Sequence, residues 1–317
     1  MNSSIDSAMS SAMDYKIAEQ VFQEAVNDLH TLRDFIRWTA CSFEKANLSF
    51  GHGTDNAWDE AVTLILDSLK MPNTTDSSLF DCRLTGTEKQ QIVDNIEQRV
   101  NQRKPLAYIT SRAWFAGHEF YVDERVLVPR SPIAELIENK FAPWLLHTPE
   151  TILDLCTGGG CIAIACAMAY PDAQVDGSDL SEDALAVAQL NKEKFGLDNR
   201  CGFIQSNLFD NLHGKKYDLI ISNPPYVDAV DMAMLPDEYH FEPEIGLASG
   251  QDGLDITRKI LQQAAEHLTD TGILIVEVGN SAPALEEAFP DFPFTWIDFE
   301  RGGDGVFMLE KMQLLSS

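Results

Sequence analysis

Positive charge is what the sequence has least of. It carries 23 lysines and arginines against 50 aspartates and glutamates, a formal net charge of -27 at pH 7. Such a field repels nucleic-acid backbones and acidic membrane surfaces, so a long DNA duplex is a poor partner. Cysteine is sparse too. The six residues Cys41, Cys82, Cys156, Cys161, Cys166 and Cys201 include no C-x-x-C pair and accompany no histidine set at zinc-finger spacing. That argues against a metal knuckle and a secreted disulfide framework, and no metal is expected; the expected setting is a reducing cytoplasm. No apolar run reaches 18 residues, and the Ser- and Met-rich start, residues 1–16, lacks a basic leader and an apolar core. Neither a membrane span nor a signal peptide is therefore expected. Internal repeats and low-complexity tracts are also absent.

The chain is otherwise ordinary in make-up: 44% of its 317 residues are hydrophobic and 23% charged, which places it among globular proteins large enough for two domains. Over residues 15–43 the apolar positions Ile17, Val21, Ala25, Val26, Leu29, Leu32, Phe35 and Ile36 recur three to four apart, the stripe of an amphipathic helix. A second helix suits residues 58–69, ending before Pro72. A third is expected to begin at Thr87, with Gln90 as its capping-box partner and Ile92, Val93, Ile96 and Val100 on one face. Residues 1–110 then read as a small helical domain. Between Arg112 and Pro129 aromatic and β-branched residues gather around Gly117 and Asp123-Glu124, predicting a β-hairpin linker over 111–131.

From residue 132 to 317 apolar strand-like runs alternate with helical stretches, the pattern of a mostly parallel sheet covered on both faces. Seven strands are expected, at 151–155, 174–178, 203–205, 217–222, 272–278, 294–298 and 306–310. Charge is shared unevenly: residues 1–110 hold 10 basic and 16 acidic side chains, residues 111–317 hold 13 and 34.

The first of these strands runs through Asp154 and Leu155 into Cys156-Thr157-Gly158-Gly159-Gly160, followed by the apolar helix 161–169. Glycines let a backbone approach a ligand closely, and the crevice at a parallel-sheet edge is the usual seat of a nucleotide. Gly158-x-Gly160-x-x-Ala163 satisfies the dinucleotide fingerprint, but any tight strand-to-helix turn can do so. The next strand ends at Ser178-Asp179, about 20 residues on, where an acid accepts ribose hydroxyls. Asp179 or Ser181 can equally serve as the N-cap of the following helix, and the two roles are compatible. Asp154 departs from the hydride-transfer pattern and would suit the cationic end of S-adenosylmethionine. After the third strand, Asn207 offers an amide to an adenine edge and Leu208 an apolar face to its ring.

The fourth strand leads straight into Asn223-Pro224-Pro225-Tyr226. Two consecutive prolines fix φ and remove two backbone donors, so this stiff turn presents hydrogen-bond acceptors. With the glycine turn it resembles the class of S-adenosylmethionine-dependent methyltransferases that modify planar amino groups, either exocyclic amines of DNA bases or the side-chain amide of glutamine. Three upstream signatures resemble the linker of the glutamine protein methyltransferase family: Arg103-x-Pro105-x-x-Tyr108-Ile109, Phe115-x-Gly117-x-x-Phe120-x-Val122 and Val126-Leu127-Val128-Pro129-Arg130. The resemblance covers roughly residues 15–311. Arg130-Ser131-Pro132-Ile133-Ala134-Glu135, Cys156 to Gly160, Gly51-His52-Gly53-Thr54-Asp55-Asn56 and the loop Glu242 to Gly250 depart from the branch acting on peptide release factors. They look like the branch that methylates a glutamine of large-subunit ribosomal protein three.

The resemblance implies a Rossmann-like seven-stranded methyltransferase sheet and S-adenosylmethionine held by Asp154, Cys156 to Gly160, Asp179, Asn207, Leu208 and Asn223. It also implies a basic ribosomal protein as substrate, met free or on assembling large subunits. In this reading the Asn223 side-chain oxygen and the Pro224 carbonyl accept the two N–H groups of the substrate amide. Pro225 and Tyr226 pack beside it, and Phe115 either covers the site or simply packs the hairpin. Glu277 either pairs structurally or lies near the site. His52 and Asp55 are read as part of a loop capping the second helix rather than as a metal pair. The acids Asp228, Asp231, Asp237, Glu238, Glu242 and Glu244, with no Lys or Arg among them, suggest an exposed loop steering a basic partner or simply conferring solubility. Glutamine methylation of release factors, adenine amino-methylation of nucleic acid, an NAD-dependent oxidoreductase and a non-enzymatic assembly factor are the competing expectations.

Overall fold

The apolar runs of the second half of the chain form the inner strands of one sheet. In the computed structural model, which describes residues 15–316, the strands in chain order are β1 (Arg112–Phe115), β2 (His118–Tyr121), β3 (Thr151–Leu155), β4 (Gln174–Asp179), β5 (Cys201–Gln205), β6 (Tyr217–Ser222), β7 (Leu268–Glu277), β8 (Thr295–Trp296) and β9 (Val306–Glu310). The Ser- and Met-rich start of the chain up to residue 14 lies outside the described residues. β1 and β2 make the expected hairpin; the other seven strands form one sheet in the order β5-β4-β3-β6-β7-β9-β8. All pairs from β5 to β7 are parallel, and β9 runs antiparallel to both β7 and β8. The seven-stranded α/β sheet expected from the sequence is present.

Strand periodicity explains why both faces are covered. Ile152, Leu219, Ile221, Ile273 and Ile275 enter one core, while their neighbours Leu153, Ile220, Leu274 and Val276 enter the other. The helix Cys161–Ala169 is apolar on nearly every side and is buried almost throughout against the first face. The hairpin contributes Phe115 and Phe120 to the same core.

The chain divides into two compact units after Thr110. The first unit is helical, with Glu19–Asp28, Leu32–Lys45, Ala57–Ser68, Gly86–Asn101 and the short Leu106–Thr110. Phe35, Ile36, Phe43, Leu64, Ile92 and Ile96 form its core, and within it Arg99 pairs with the buried Glu60. The single stripe expected over 15–43 is in fact two helices. The chain turns extended at Leu29, and Thr31 with Asp34 forms a reciprocal capping box that starts a new helix. The helix expected to start at Thr87 begins one residue earlier and is capped by Thr85 with Glu88, not by Thr87 with Gln90. In the loop before Ala57–Ser68 the helix cap is Asn56, which accepts the Asp59 N–H.

Candidate active site

Strand register gathers the motif-bearing ends at one edge of the sheet. Leu155 lies opposite Ser178 on one side and Ser222 on the other, so the residues that follow β3, β4 and β6 emerge side by side. From β3 the chain moves outward to β4 and β5; β6 and β7 lie on the other side. The β3/β6 boundary is thus the switch point at which parallel sheets open a crevice. Ser222 reinforces it by donating its hydroxyl to the Leu155 carbonyl at 2.7 Å.

The turn after β3 needs its glycines. Cys156, Gly158 and Gly160 all have positive φ, at 63°, 52° and 80°. A Cβ on Gly158 would meet nothing, so the backbone there faces open space, whereas a Cβ on Gly160 would come within 2.8 Å of the Phe203 ring. Thr157 donates its N–H to the Ser178 carbonyl, tying the turn to β4. The buried Asn191, which the sequence reading did not single out, donates to the Gly159 and Tyr121 carbonyls and accepts the Tyr121 N–H, joining hairpin to turn. An amide on the inner side of the helix Glu182–Phe195 was the only available signal of that role.

Asp179 accepts Gly158 N–H and Ser181 N–H, each at 2.8 Å, while Ser181 is the actual N-cap, accepting the Ala184 N–H. Burial raises the Asp179 pKa against those backbone bonds. Two N–H donors do not exhaust a carboxylate's acceptor sites, so capacity remains for a ribose diol. Asp154 is placed beneath the turn rather than beside open space. It shares the face of Ile152, is fully buried, and through one oxygen accepts the Thr157 hydroxyl and the Ala163 N–H. Its other oxygen has no hydrogen-bond partner among the described residues, and burial raises its pKa to about 7. After β5, Asn207 is exposed and Leu208 is buried with a positive φ of 51°.

On the β6 side, Asn223 is half-buried and its carboxamide makes no hydrogen bond to any described residue; Pro224, next in the chain, is buried. Tyr226 is not free in the same way, because its hydroxyl donates to Glu277 at 3.0 Å. The other oxygen of Glu277 accepts the Ser131 hydroxyl. Burial raises the Glu277 pKa, opposed by those two hydroxyls and by Arg130. Phe115 is only 5% exposed and packs edge-on against Phe120, so its ring belongs to the hairpin core.

The loop after the motif is pinned from the linker. Arg130 grips Glu242 through both terminal guanidinium nitrogens, at 2.5 and 2.7 Å, Val128 donates its N–H to the same carboxylate, and the guanidinium lies over the Tyr239 ring. Burial alone would lower the Arg130 pKa; the bonds and charge of Glu242 raise it instead. Of the six acids expected on an exposed loop, Glu238 and Glu242 are buried and cannot face a partner. Among the described residues no group of three or more His, Cys, Asp or Glu side chains is placed to hold a metal ion.

The methyltransferase small domain family matches residues 138–235, the stretch that contains both the glycine turn and Asn223 to Tyr226. The ribosomal protein uL3 glutamine methyltransferase of Francisella tularensis is 50% identical over 300 residues, 94% of this chain and 96% of the relative. Its counterpart from Neisseria gonorrhoeae is 49% identical over 298 residues, 93% and 99% of the two chains. The chain belongs to the ribosomal protein uL3 glutamine methyltransferase family. A more distant likeness is the solved structure of a methyltransferase from Pyrococcus furiosus, 19% identical with a TM-score of 0.44, covering 61% of this chain and 88% of that one. Membership in the uL3 glutamine methyltransferase family rests on nearly the whole chain, the helical unit included.

Proposed function

We propose that the protein transfers a methyl group from S-adenosylmethionine to the side-chain amide nitrogen of a glutamine in ribosomal protein uL3. The observation that carries the reading is Asn223: a carboxamide with no partner among the described residues, just past the end of β6, next to a turn whose Gly158 faces open space.

S-adenosylmethionine is the methyl donor and supplies an electrophilic methyl on a sulfonium. The residues present fit it. The open backbone at Gly158 gives room for close approach, the remaining acceptor sites of Asp179 suit ribose hydroxyls, and the exposed Asn207 amide beside Leu208 suits an adenine. Cys156, Thr157, Gly159 and Gly160 shape that turn, and Asp154 acts from below by holding Thr157 and the start of the helix Cys161–Ala169.

An amide nitrogen is a weak nucleophile because its lone pair is delocalised into the carbonyl. The task of the protein is therefore to orient it, and good alignment can contribute several kcal/mol, up to about 7–11. Asn223 Oδ1 accepts one substrate N–H and the Pro224 carbonyl the other, which aims the nitrogen and favours a less planar geometry as the bond forms. Transfer would form the N–C bond as the S–C bond broke, the surplus proton on nitrogen would pass to water or to these acceptors, and no prior deprotonation would be needed. Pro225 stiffens the turn. The helical unit, residues 1–110, recognises the ribosomal protein, free or on assembling large subunits, in the cytoplasm. No helix among the described residues is long and apolar enough to cross a membrane.

Labelled methyl transfer with purified uL3, a release factor and DNA as rival acceptors tests this. Label should enter uL3 alone, as one added CH2 on a glutamine, and Asn223→Ala should lower kcat by about 10²–10³. Label in the release factor or DNA, or full activity in Asn223→Ala, refutes the reading.

A further inference from the structure

We infer that Glu277 is a positioning residue for methyl transfer, a buried carboxylate that holds Tyr226 and through it fixes the Asn223-Pro224-Pro225 turn against the end of β7. The inference rests on the role proposed above for that turn. Glu277 is the last residue of β7, and since Ser222 pairs with Val276, the register sets Glu277 beside Asn223. It is 4% exposed, too enclosed to touch a substrate. Both of its oxygens are engaged: Oε1 accepts the Tyr226 hydroxyl at 3.0 Å and Oε2 accepts the Ser131 hydroxyl. A hydroxyl has one proton to give, so a carboxylate is the group that accepts from both at once.

Tyr226 is held at three points. Beyond its hydroxyl, its carbonyl accepts the Ser281 hydroxyl at 2.8 Å. Its ring lies against Gly279 so closely that a Cβ there would come within 2.7 Å of it. The tyrosine is thus a wedge between β6 and the segment after β7, with the proton of its hydroxyl committed to Glu277.

The two prolines transmit that placement. With φ fixed at Pro224 and Pro225, only their two ψ angles can absorb a rotation of Tyr226 before it reaches Asn223, so the two acceptors follow it closely. A misplacement of about 1 Å at such a site can cost about 10² in rate. Ser131 extends the control to the linker. Its neighbour Arg130 grips Glu242, so of two consecutive residues one holds the loop after the motif directly and the other reaches its start through Glu277 and Tyr226.

The test is a double-mutant cycle with Glu277→Gln and Tyr226→Phe in the full-length enzyme. It reads kcat and KM for uL3, calorimetric affinity for S-adenosylhomocysteine, and thermal melting. Each single variant should lower kcat about tenfold or more, leaving S-adenosylhomocysteine affinity within about twofold, and the double variant should be no worse than about the poorer single, because Glu277→Gln leaves one acceptor oxygen for two hydroxyls and Tyr226→Phe removes one of those hydroxyls. Glu277→Ala should fall below Glu277→Gln.

A kcat within about twofold of wild type in folded Glu277→Gln overturns the inference, as do effects that multiply independently or a cofactor affinity that falls as far as kcat. So does a lowered melting temperature with unchanged kcat, the signature of a purely structural bond. If Glu277→Gln does not fold, Tyr226→Phe decides on the same criteria. Asn223→Ala separates the two proposals: an active Asn223→Ala sinks the function itself, whereas a dead Asn223→Ala with intact Glu277→Gln sinks only the positioning role.

Discussion

Asn223 and Asp154 sit at the ends of adjacent strands and meet opposite surroundings. Among the described residues Asn223 keeps a carboxamide without a partner at the edge of the crevice, whereas Asp154 is enclosed with one oxygen unsatisfied. A buried carboxylate in that state favours its neutral form, and its pKa rises from the ordinary 3.8 to about 7. The folded chain then binds the proton more tightly than the unfolded one. Stability from this group is fully present below the ordinary value and is lost as pH rises through about 7. Asp154→Asn cannot ionise and mimics the neutral form. Its melting temperature relative to wild type should be more favourable at pH 8 than at pH 5, and an equal difference at both pH values removes this account of Asp154. The sequence marked Asn223 by the two prolines that follow it, Asp154 by its place just ahead of the glycine turn, and Asp179 by its distance of about 20 residues beyond that turn. It could not mark the partners of Glu277 and Glu242. Arg130 and Glu242 are 112 residues apart, and only the folded sheet brings them into bonding distance.

At the level of elements, β3, β6 and β9 coincide with the runs read from the sequence, since strands buried on both faces are continuous apolar stretches that propensity and packing specify alike. The edge was harder to read. The expected strand 294–298 shrinks to Thr295–Trp296, which pairs on one side only and follows Pro293, so few ladder bonds sustain it. Helix starts failed where two capping patterns overlapped: Thr85 with Glu88 and Thr87 with Gln90 both match, and the carboxylate is favoured beside the positive end of the helix. The glycine turn was legible, but the reason for its last glycine was not, because Phe203 belongs to another strand. Gly160→Ala should cost about 1–2 kcal/mol for the left-handed backbone and about 1–3 more for the overlap with Phe203. Adding Phe203→Leu should recover part of the second cost and none of the first. Urea midpoints of Gly160→Ala, Phe203→Leu and the double variant measure this, and an absence of any recovery rules out the Phe203 contact as the cause.

For the whole molecule, the charge of -27 is divided so that residues 111–317, which hold the crevice, carry 34 acidic side chains against 13 basic ones. Several of those acids are spent inside the fold: Asp154, Glu238, Glu242 and Glu277 are all buried. Others stay near solvent on the loop after the motif, among them Asp237 and Glu244, which are exposed, and Asp231, which is partly so. An acidic surface beside the site accelerates encounter with a basic protein by long-range attraction, an effect that salt removes while short contacts inside the site persist. Between 0.1 and 1 M salt the screening length falls from about 10 to about 3 Å. Over that range kcat/KM for uL3 should fall about tenfold or more, while kcat at saturation and affinity for S-adenosylhomocysteine change by less than about twofold. A rate independent of salt would mean that the acids keep the chain dispersed and leave recognition to shape.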